Sequence, residues 1–259
     1  MSDATSRRAT RARHDALVGL LREGVGSVEA LSTRVGVSPS TVRRDLGRLE
    51  REGRIARTYG GALVRDGFHE RSFGESEQLA QQAKAAIAAT AVELAPEHGT
   101  VFLDAGTTCL ALARLLAERG PVTVVTRGLE AALLLARAPE VTVVLLGGEV
   151  QPLSHGVVGP LSSLALDRLA FDTAFLGADA VDPGRGLGEP TDREIYVKEQ
   201  AASRSDAVAL LADGSKLGPA RLPAWLPLDP AWTLVTDASA PAEAVAVIEA
   251  AGVRVVTAG

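Results

Sequence analysis

The sequence predicts two folds in one chain: a mostly α-helical winged helix-turn-helix module over residues 1–64, then an α/β domain with a mainly parallel, doubly wound sheet over residues 79–259. Three observations predict this. Two short helical patterns meet at Gly36-Val37 and are followed by a hairpin signal at Gly60-Gly61. From residue 101 onward, short apolar runs alternate with helix-length segments, as in a parallel sheet covered on both faces. A length of 259 residues with 46% hydrophobic content also exceeds one small domain.

Charge divides at the same place. Residues 1–65 hold 13 Lys+Arg against 7 Asp+Glu, net +6, and the remaining 14 against 25 give −11, so the chain total is −5. A basic module on an acidic body suits attraction to a phosphate backbone through the module alone. One cysteine, Cys109, excludes an internal disulfide and fits a reducing, cytoplasmic compartment. No apolar run is long enough for a signal or membrane segment. The four histidines lack ligand spacing, so neither a metal nor a cofactor is expected.

The first helix is expected over about residues 11–23, with Leu17, Leu20 and Leu21 inward and the arginines before it as a solvated arm near DNA. Ser27 caps a second, ending at Gly36. Ser38 and Pro39 start a third, and Gly53 stops it. Val42, Leu46 and Leu49 bury one stripe of that helix. Ser38, Ser40, Thr41, Arg43, Arg44 and Arg48 lie around the rest, a face of hydroxyls and guanidinium groups. Solvated arginines on a surface helix are the alternative, but two short helices joined by a Gly turn place the second in a major groove. The hairpin beyond reads as a wing whose Arg54, Arg57 and Tyr59 could lie along phosphates or a minor groove.

Residues 65–78 are polar, hold Gly67 and Gly74, and read as the linker. A helix follows over 79–94. Strands are expected at 101–104, 122–126, 141–146, 173–176, 207–211, 232–236 and 253–257, with helices at 108–118, 129–136, 161–169, 193–203 and 242–250.

Ligands of such sheets bind beyond the carboxyl ends of the strands. At the first end stands Asp104, followed by Gly106, Thr107 and Thr108, a turn that could cradle a phosphate on free N–H groups or be an ordinary capped turn. Asp104 suits sugar hydroxyls better than a phosphate. Thr126 and Arg127 follow the next strand, Gly147-Gly148 the third, Asp179 the fourth and Asp213 to Lys216 the fifth. Glu194 and Lys198, four apart on a helix, could be a plain surface pair. Against that stands the lysine count. The chain has 24 arginines and 3 lysines, and Lys198 and Lys216 both fall at the crevice, where a compact ammonium suits a phosphate or sugar hydroxyl.

These motifs resemble the DeoR-type (DeoR/GlpR) family of bacterial transcriptional regulators. The resemblance is carried by Val37-Ser38, Thr41-Val42-Arg43-Arg44-Asp45-Leu46, Leu49-Glu50, Gly53 and Gly60-Gly61-Ala62. It continues through Asp104 to Thr108, Val125-Thr126, Gly147-Gly148, Asp172 to Gly177, Glu194 to Lys198 and Asp213 to Lys216. It implies a second domain similar in fold to ribose-5-phosphate isomerase. It further implies a repressor of a carbohydrate operon on double-stranded operator DNA, relieved by a phosphorylated sugar or related metabolite and acting as a homodimer or homotetramer. Two positions depart from the family pattern: Arg127 stands where Asn is usual, and Ala180 where Gly is common. The alternative class is a sugar-phosphate isomerase with an appended DNA-binding module, since Leu176-Gly177-Ala178-Asp179 is similar to an isomerase motif but lacks its first acid.

Overall fold

The computed structural model describes residues 2–22, 25, 27–51, 55–58, 61–64 and 71–259, with residues 2–9, 11, 22, 51, 56–58 and 61–64 described by their backbone alone. Two compact units result, Met1–Glu70 and Arg71–Gly259.

In the first unit, α1 (Ser2–Arg22), α2 (Val28–Val35) and α3 (Pro39–Arg51) precede the antiparallel pair β1 (Ile55–Thr58) and β2 (Gly61–Val64). The first helix begins at Ser2 rather than near residue 11, so the backbone of the arginine-rich arm is helical. The core is the expected stripe: Leu17, Leu21, Val28, Leu31, Val42, Leu46 and Leu49 are all buried together with Ile55. Gly36 ends α2 in the left-handed region at φ 70°, and its N–H donates to the Ser32 carbonyl at 3.0 Å. That conformation costs a glycine least, which is why the turn between α2 and α3 can be so tight.

The second unit runs α4 (Phe73–Gln78), α5 (Gln81–Ala91), β3 (Gly99–Leu103), α6 (Thr107–Leu116), β4 (Val122–Thr126), α7 (Leu129–Leu135) and β5 (Val141–Leu145). It continues with β6 (Glu149–Val150), β7 (Val157–Val158), α8 (Pro160–Leu166), β8 (Phe171–Gly177), β9 (Ala180–Asp182), β10 (Gly186–Glu189) and α9 (Asp192–Ser203). It closes with β11 (Ser205–Leu211), β12 (Ala224–Leu226), β13 (Thr233–Asp237), α10 (Ala242–Ala250) and β14 (Arg254–Ala258). Seven strands form one sheet in the order β14-β13-β11-β8-β3-β4-β5, every pairing parallel. Two cores cover it, one around Phe102, Leu176 and Leu210, the other around Leu103, Leu112 and Phe175. Successive side chains of β3 and β8 therefore feed opposite cores, which is why those strands read as unbroken apolar runs.

The strand order reverses between β8 and β3. Beyond the carboxyl ends of those two strands lies the crevice where open α/β sheets take their ligands.

The linker expectation needs correction over its second half. Residues 73–78 form α4, started by a capping box in which Ser72 accepts from the Glu75 amide while Glu75 accepts from Ser72. Burial of Phe73 in the second core holds this short helix in place. Leu79-Ala80 breaks the chain before α5, with Ala80 at φ 51°, and the Lys84 ammonium closes the break by donating to the carbonyls of Ser76 (2.5 Å) and Leu79 (2.8 Å). The five strands β6, β7, β9, β10 and β12 were not expected, each being too short for a period.

Candidate functional site

Four of the expected residues converge at the switch point. Asp104 lies just past β3, and its carboxylate is wholly buried. One oxygen accepts from the Ala105 amide at 2.7 Å and from Arg127 Nε; the other accepts from the Gly177 amide at 3.0 Å and from Lys198 Nζ. Lys198 also donates to the Gly177 carbonyl at 3.0 Å and lies 2.9 Å from a carboxylate oxygen of Glu189. Arg127 Nη1 is 3.7 Å from Glu194 Oε1, too far for a hydrogen bond, and this buried nitrogen has no acceptor among the described residues. Glu194 accepts instead from Ser154 Oγ (3.0 Å) and Thr191 Oγ1 (2.9 Å).

The surface-pair reading of Glu194 and Lys198 is therefore overturned. Both are buried, 2% and 1% exposed, and each pairs with another partner. The hydroxyl-acceptor reading of Asp104 also changes, because both its oxygens already hold protein donors. Burial alone would raise its carboxyl, but Arg127 and Lys198 outweigh burial and hold it at about 2. For Lys198, burial works against the charge, while Asp104 and Glu189 keep the ammonium above its ordinary value.

Glu189, at the end of β10, was not singled out from sequence. Burial pushes it up to about 8, opposed by Lys198 and reinforced by Asp179, Glu194 and Asp104. Three acids face two bases here, and Glu189 has the poorest set of donors. It is the acid that keeps a proton most easily. Its only sequence signal is that it closes a segment just before the Thr191 cap of α9.

A loop covers this cluster. An added Cβ at Gly156 would overlap Arg127 Nη1, so glycine is what lets the backbone lie on the guanidinium. Ser154 reaches Glu194, while His155, at φ 54°, hydrogen-bonds Glu130 at 2.5 Å and stacks on Phe73 with ring centroids 5.3 Å apart. The Phe73 amide donates to the Leu153 carbonyl at 2.7 Å. Residues 151–156 thus touch the charged cluster on one side and the first helical residue of the unit on the other.

Other expected residues lie nearby or have structural work. Asp179 and Lys216 pair at 3.0 Å, each about a quarter exposed. Gly106 precedes α6 at φ 103°, where an added Cβ would meet no atom within 4 Å; Thr107 is buried, Thr108 half-buried, and the first turn of α6 carries no acidic residue. Three expectations become structural. Thr126 is buried and accepts from the Gly128 amide at 3.0 Å. Gly147 and Gly148 form a turn, the first accepting from Ser162 and the second admitting Val158 where a Cβ would overlap its carbonyl. Asp213 caps the turn before Lys216 through the Ser215 amide at 3.1 Å. Ala180 opens β9 opposite Gly188 without a positive φ, so nothing there requires glycine.

In the first unit, Ser38 Oγ accepts from the Thr41 amide at 3.2 Å and hydrogen-bonds the hydroxyls of Ser40 and Thr41, both at 2.9 Å. Arg43, Arg44 and Arg48 are exposed. Asp45, the one acid among them, turns inward to Arg13 (2.6 Å) and His14 (3.2 Å), which removes its charge from the outer face. Burial would raise its carboxyl, but those two hydrogen bonds hold it low. Arg54 and Tyr59 lie outside the described residues, and Arg57 is described only as backbone.

Residues 13–67 match the model of the DeoR-like helix-turn-helix domain, and residues 79–238 that of the DeoR C terminal sensor domain. The chain belongs to the DeoR family. Among this DeoR-family chain's relatives is the HTH-type transcriptional regulator GlpR of Haloferax volcanii, 37% identical over 93% of this chain and 94% of the relative. The glycerol-3-phosphate regulon repressor of Escherichia coli K12 is 31% identical over 80% of this chain and 82% of its own. A ribose 5-phosphate isomerase A from Methanocaldococcus jannaschii is 22% identical at a TM-score of 0.40, covering 52% of this chain and 54% of that one. The DeoR-family chain is thus a DNA-binding transcriptional regulator with a sensor domain. Among the described residues, no helix is long and apolar enough to cross a membrane.

Proposed function

We propose that this regulator represses a carbohydrate-metabolism operon and leaves its operator when a phosphorylated sugar or related metabolite enters the crevice between β3 and β8. One observation carries the reading. At the switch point of the sheet, a buried cluster of Asp104, Arg127, Glu194 and Lys198 includes a guanidinium nitrogen with no acceptor. A buried donor left unsatisfied costs about 1–3 kcal/mol, and a ligand oxygen that takes it recovers that cost.

Roles follow from chemistry. Arg127 Nη1 donates to a ligand oxygen, Glu194 and Lys198 sort the sugar hydroxyls by exchanging their present partners, and Asp104 holds the two cations in place. Lys216 and the first amides of α6, at Thr107 and Thr108 beyond Gly106, meet the phosphate. On the DNA side, Arg43, Arg44 and Arg48 contact phosphates and base edges, and Ser38, Ser40 and Thr41 fix the register of α3. Turnover is not part of this reading. Asp104, held near 2, stays ionised and is a weak base at neutral pH.

The test is fluorescence anisotropy on the protein's own promoter DNA at two salt concentrations, with a panel of sugar phosphates. Salt-sensitive binding released by one compound is expected, with no consumption of that compound. If none releases the DNA, the crevice is not the effector site.

A further inference from the structure

We infer that the β5 edge of the central sheet is the face through which two copies of this chain pair. Nine large apolar side chains are exposed among the described residues, and six of them fall between residues 133 and 164, around that edge: Leu133, Val144, Leu145, Val150, Leu161 and Leu164. Leu133, Leu161 and Leu164 are 69%, 63% and 59% exposed.

The strand itself is unfinished. β5 is the last strand of the sheet on its side. The Leu146 amide donates inward to Thr126 at 2.9 Å, so by the two-residue period of a strand the backbone groups of Val143 and Leu145 turn to the open side. Natural sheets blunt such edges with charges, prolines or bulges. Val141-Thr142-Val143-Val144-Leu145 has no charge and no proline.

Apolar surface flanks the edge on both faces of the sheet. Leu145 shares its face with Val141 and Val143, which pack into the core beneath α7, the helix that carries Leu133. Val144 shares the opposite face with Leu146, in the other core. Beyond it, an added Cβ at Gly147 would lie 3.8 Å from Leu161, and Leu164 follows one turn along α8.

An occupant must therefore offer an unpaired strand with apolar surface above and below it. The same strand of a second copy does so, since an antiparallel pairing about a two-fold axis presents each patch to itself. The area agrees. Six such side chains supply on the order of 500 Å², the upper range for a surface patch on a single chain. With the strand backbone and a polar rim this approaches the roughly 800 Å² per partner of a standard interface. The rim carries both signs, Glu149 and Arg193 at 2.9 Å, so a two-fold copy meets no single-sign field. The face is read from the second unit alone and stands apart from the effector reading.

Sedimentation velocity of the full chain over the low micromolar range tests it. The wild type is expected to sediment as a dimer or a multiple of one, and Leu145→Lys with Leu161→Glu to halve the mass while circular dichroism and the melting curve persist. Leu164→Glu, at an already exposed position, should raise the dimer dissociation constant at least tenfold without touching the strand. Val247→Glu on α10, 47% exposed, should leave the mass unchanged. A monomeric wild type, a mass indifferent to both β5-edge variants, or equal dissociation by Val247→Glu would overturn the assignment.

Discussion

At the scale of single residues, the sensor cluster is a charge balance that does not close. Asp104 has four donors and Glu194 has hydroxyl donors, but among the described residues Glu189 has only the ammonium it shares with Asp104. Removing Lys198 leaves Glu189 without its cation and Asp104 with Arg127 alone, and breaking a buried pair by deleting one partner costs about 3–5 kcal/mol. Lys198→Met should therefore lower the urea midpoint of the second unit strongly; a variant as stable as the wild type would mean the cluster is not closed in solution. Glu189 gives a pH signature. Its carboxyl is raised from the ordinary Glu range to about 8 in the fold, so the folded chain holds a proton that the unfolded chain releases. That contribution is full below the unfolded value, shrinks as pH rises, and is gone above about 8. Urea midpoints should fall between pH 5 and 8, and Glu189→Gln should flatten the fall. An identical slope in the variant would assign the proton elsewhere.

Elements explain what could be read in advance and what could not. The seven sheet strands were legible because each is a short run of mostly apolar residues, buried on both faces in the central strands and apolar even at the exposed edge strand β5, and α3 was legible because Ser38, Pro39 and its Val42, Leu46 and Leu49 stripe mark both its start and its face. Helix α4 was hidden because six residues with one apolar side chain show no period, although its Ser72-to-Glu75 capping box was present. Of the buried cluster, Asp104 and Arg127 were legible as residue types at strand ends and Glu194 and Lys198 as a pair on a helix, while Glu189 was missed. Their pairing was not, because the order β8-β3-β4, and not sequence distance, brings Gly177, Asp104 and Arg127 together. The loop over residues 151–156 has no pattern of its own and was missed with it. Its two-sided contacts make Phe73 testable. Phe73→Ala removes the ring under His155 but leaves Ser154 and Gly156 at the cluster. Effector affinity, measured by calorimetry, should change less than about threefold, while the fold-release of operator DNA should collapse. Release as large as in the wild type would mean that the loop carries no coupling. For α3 the expected signature is electrostatic. Arg44→Ala should weaken operator binding and reduce the slope of log affinity against log salt by about one, whereas an unchanged slope would remove Arg44 from the phosphates.

For the whole molecule, the division into basic residues 1–65, net +6, and an acidic remainder of −11 confines DNA attraction to the module that carries α3. On the proposed reading the effector acts through a coupling free energy and not by competing for the DNA face. Couplings of this kind are typically about 1–3 kcal/mol, or 5- to 150-fold in affinity, and they are reciprocal. Whatever factor the effector takes from operator affinity, saturating operator DNA must take from effector affinity. Titrating the effector calorimetrically with and without operator DNA, and the operator by anisotropy with and without effector, should give the same factor within error. Lys216→Ala, which removes the crevice cation without touching α3, should leave operator affinity as it is and bring both factors toward one. Two unequal factors in the wild type would mean that the two titrations do not share one assembly state, since no conformational state within a chain can open the cycle, and a change of assembly at the β5 edge is the one this fold offers. Repeating the two titrations on Leu164→Glu decides it, since factors that become equal in that variant place the difference in pairing at this face, and factors that stay unequal place the change of assembly on another surface.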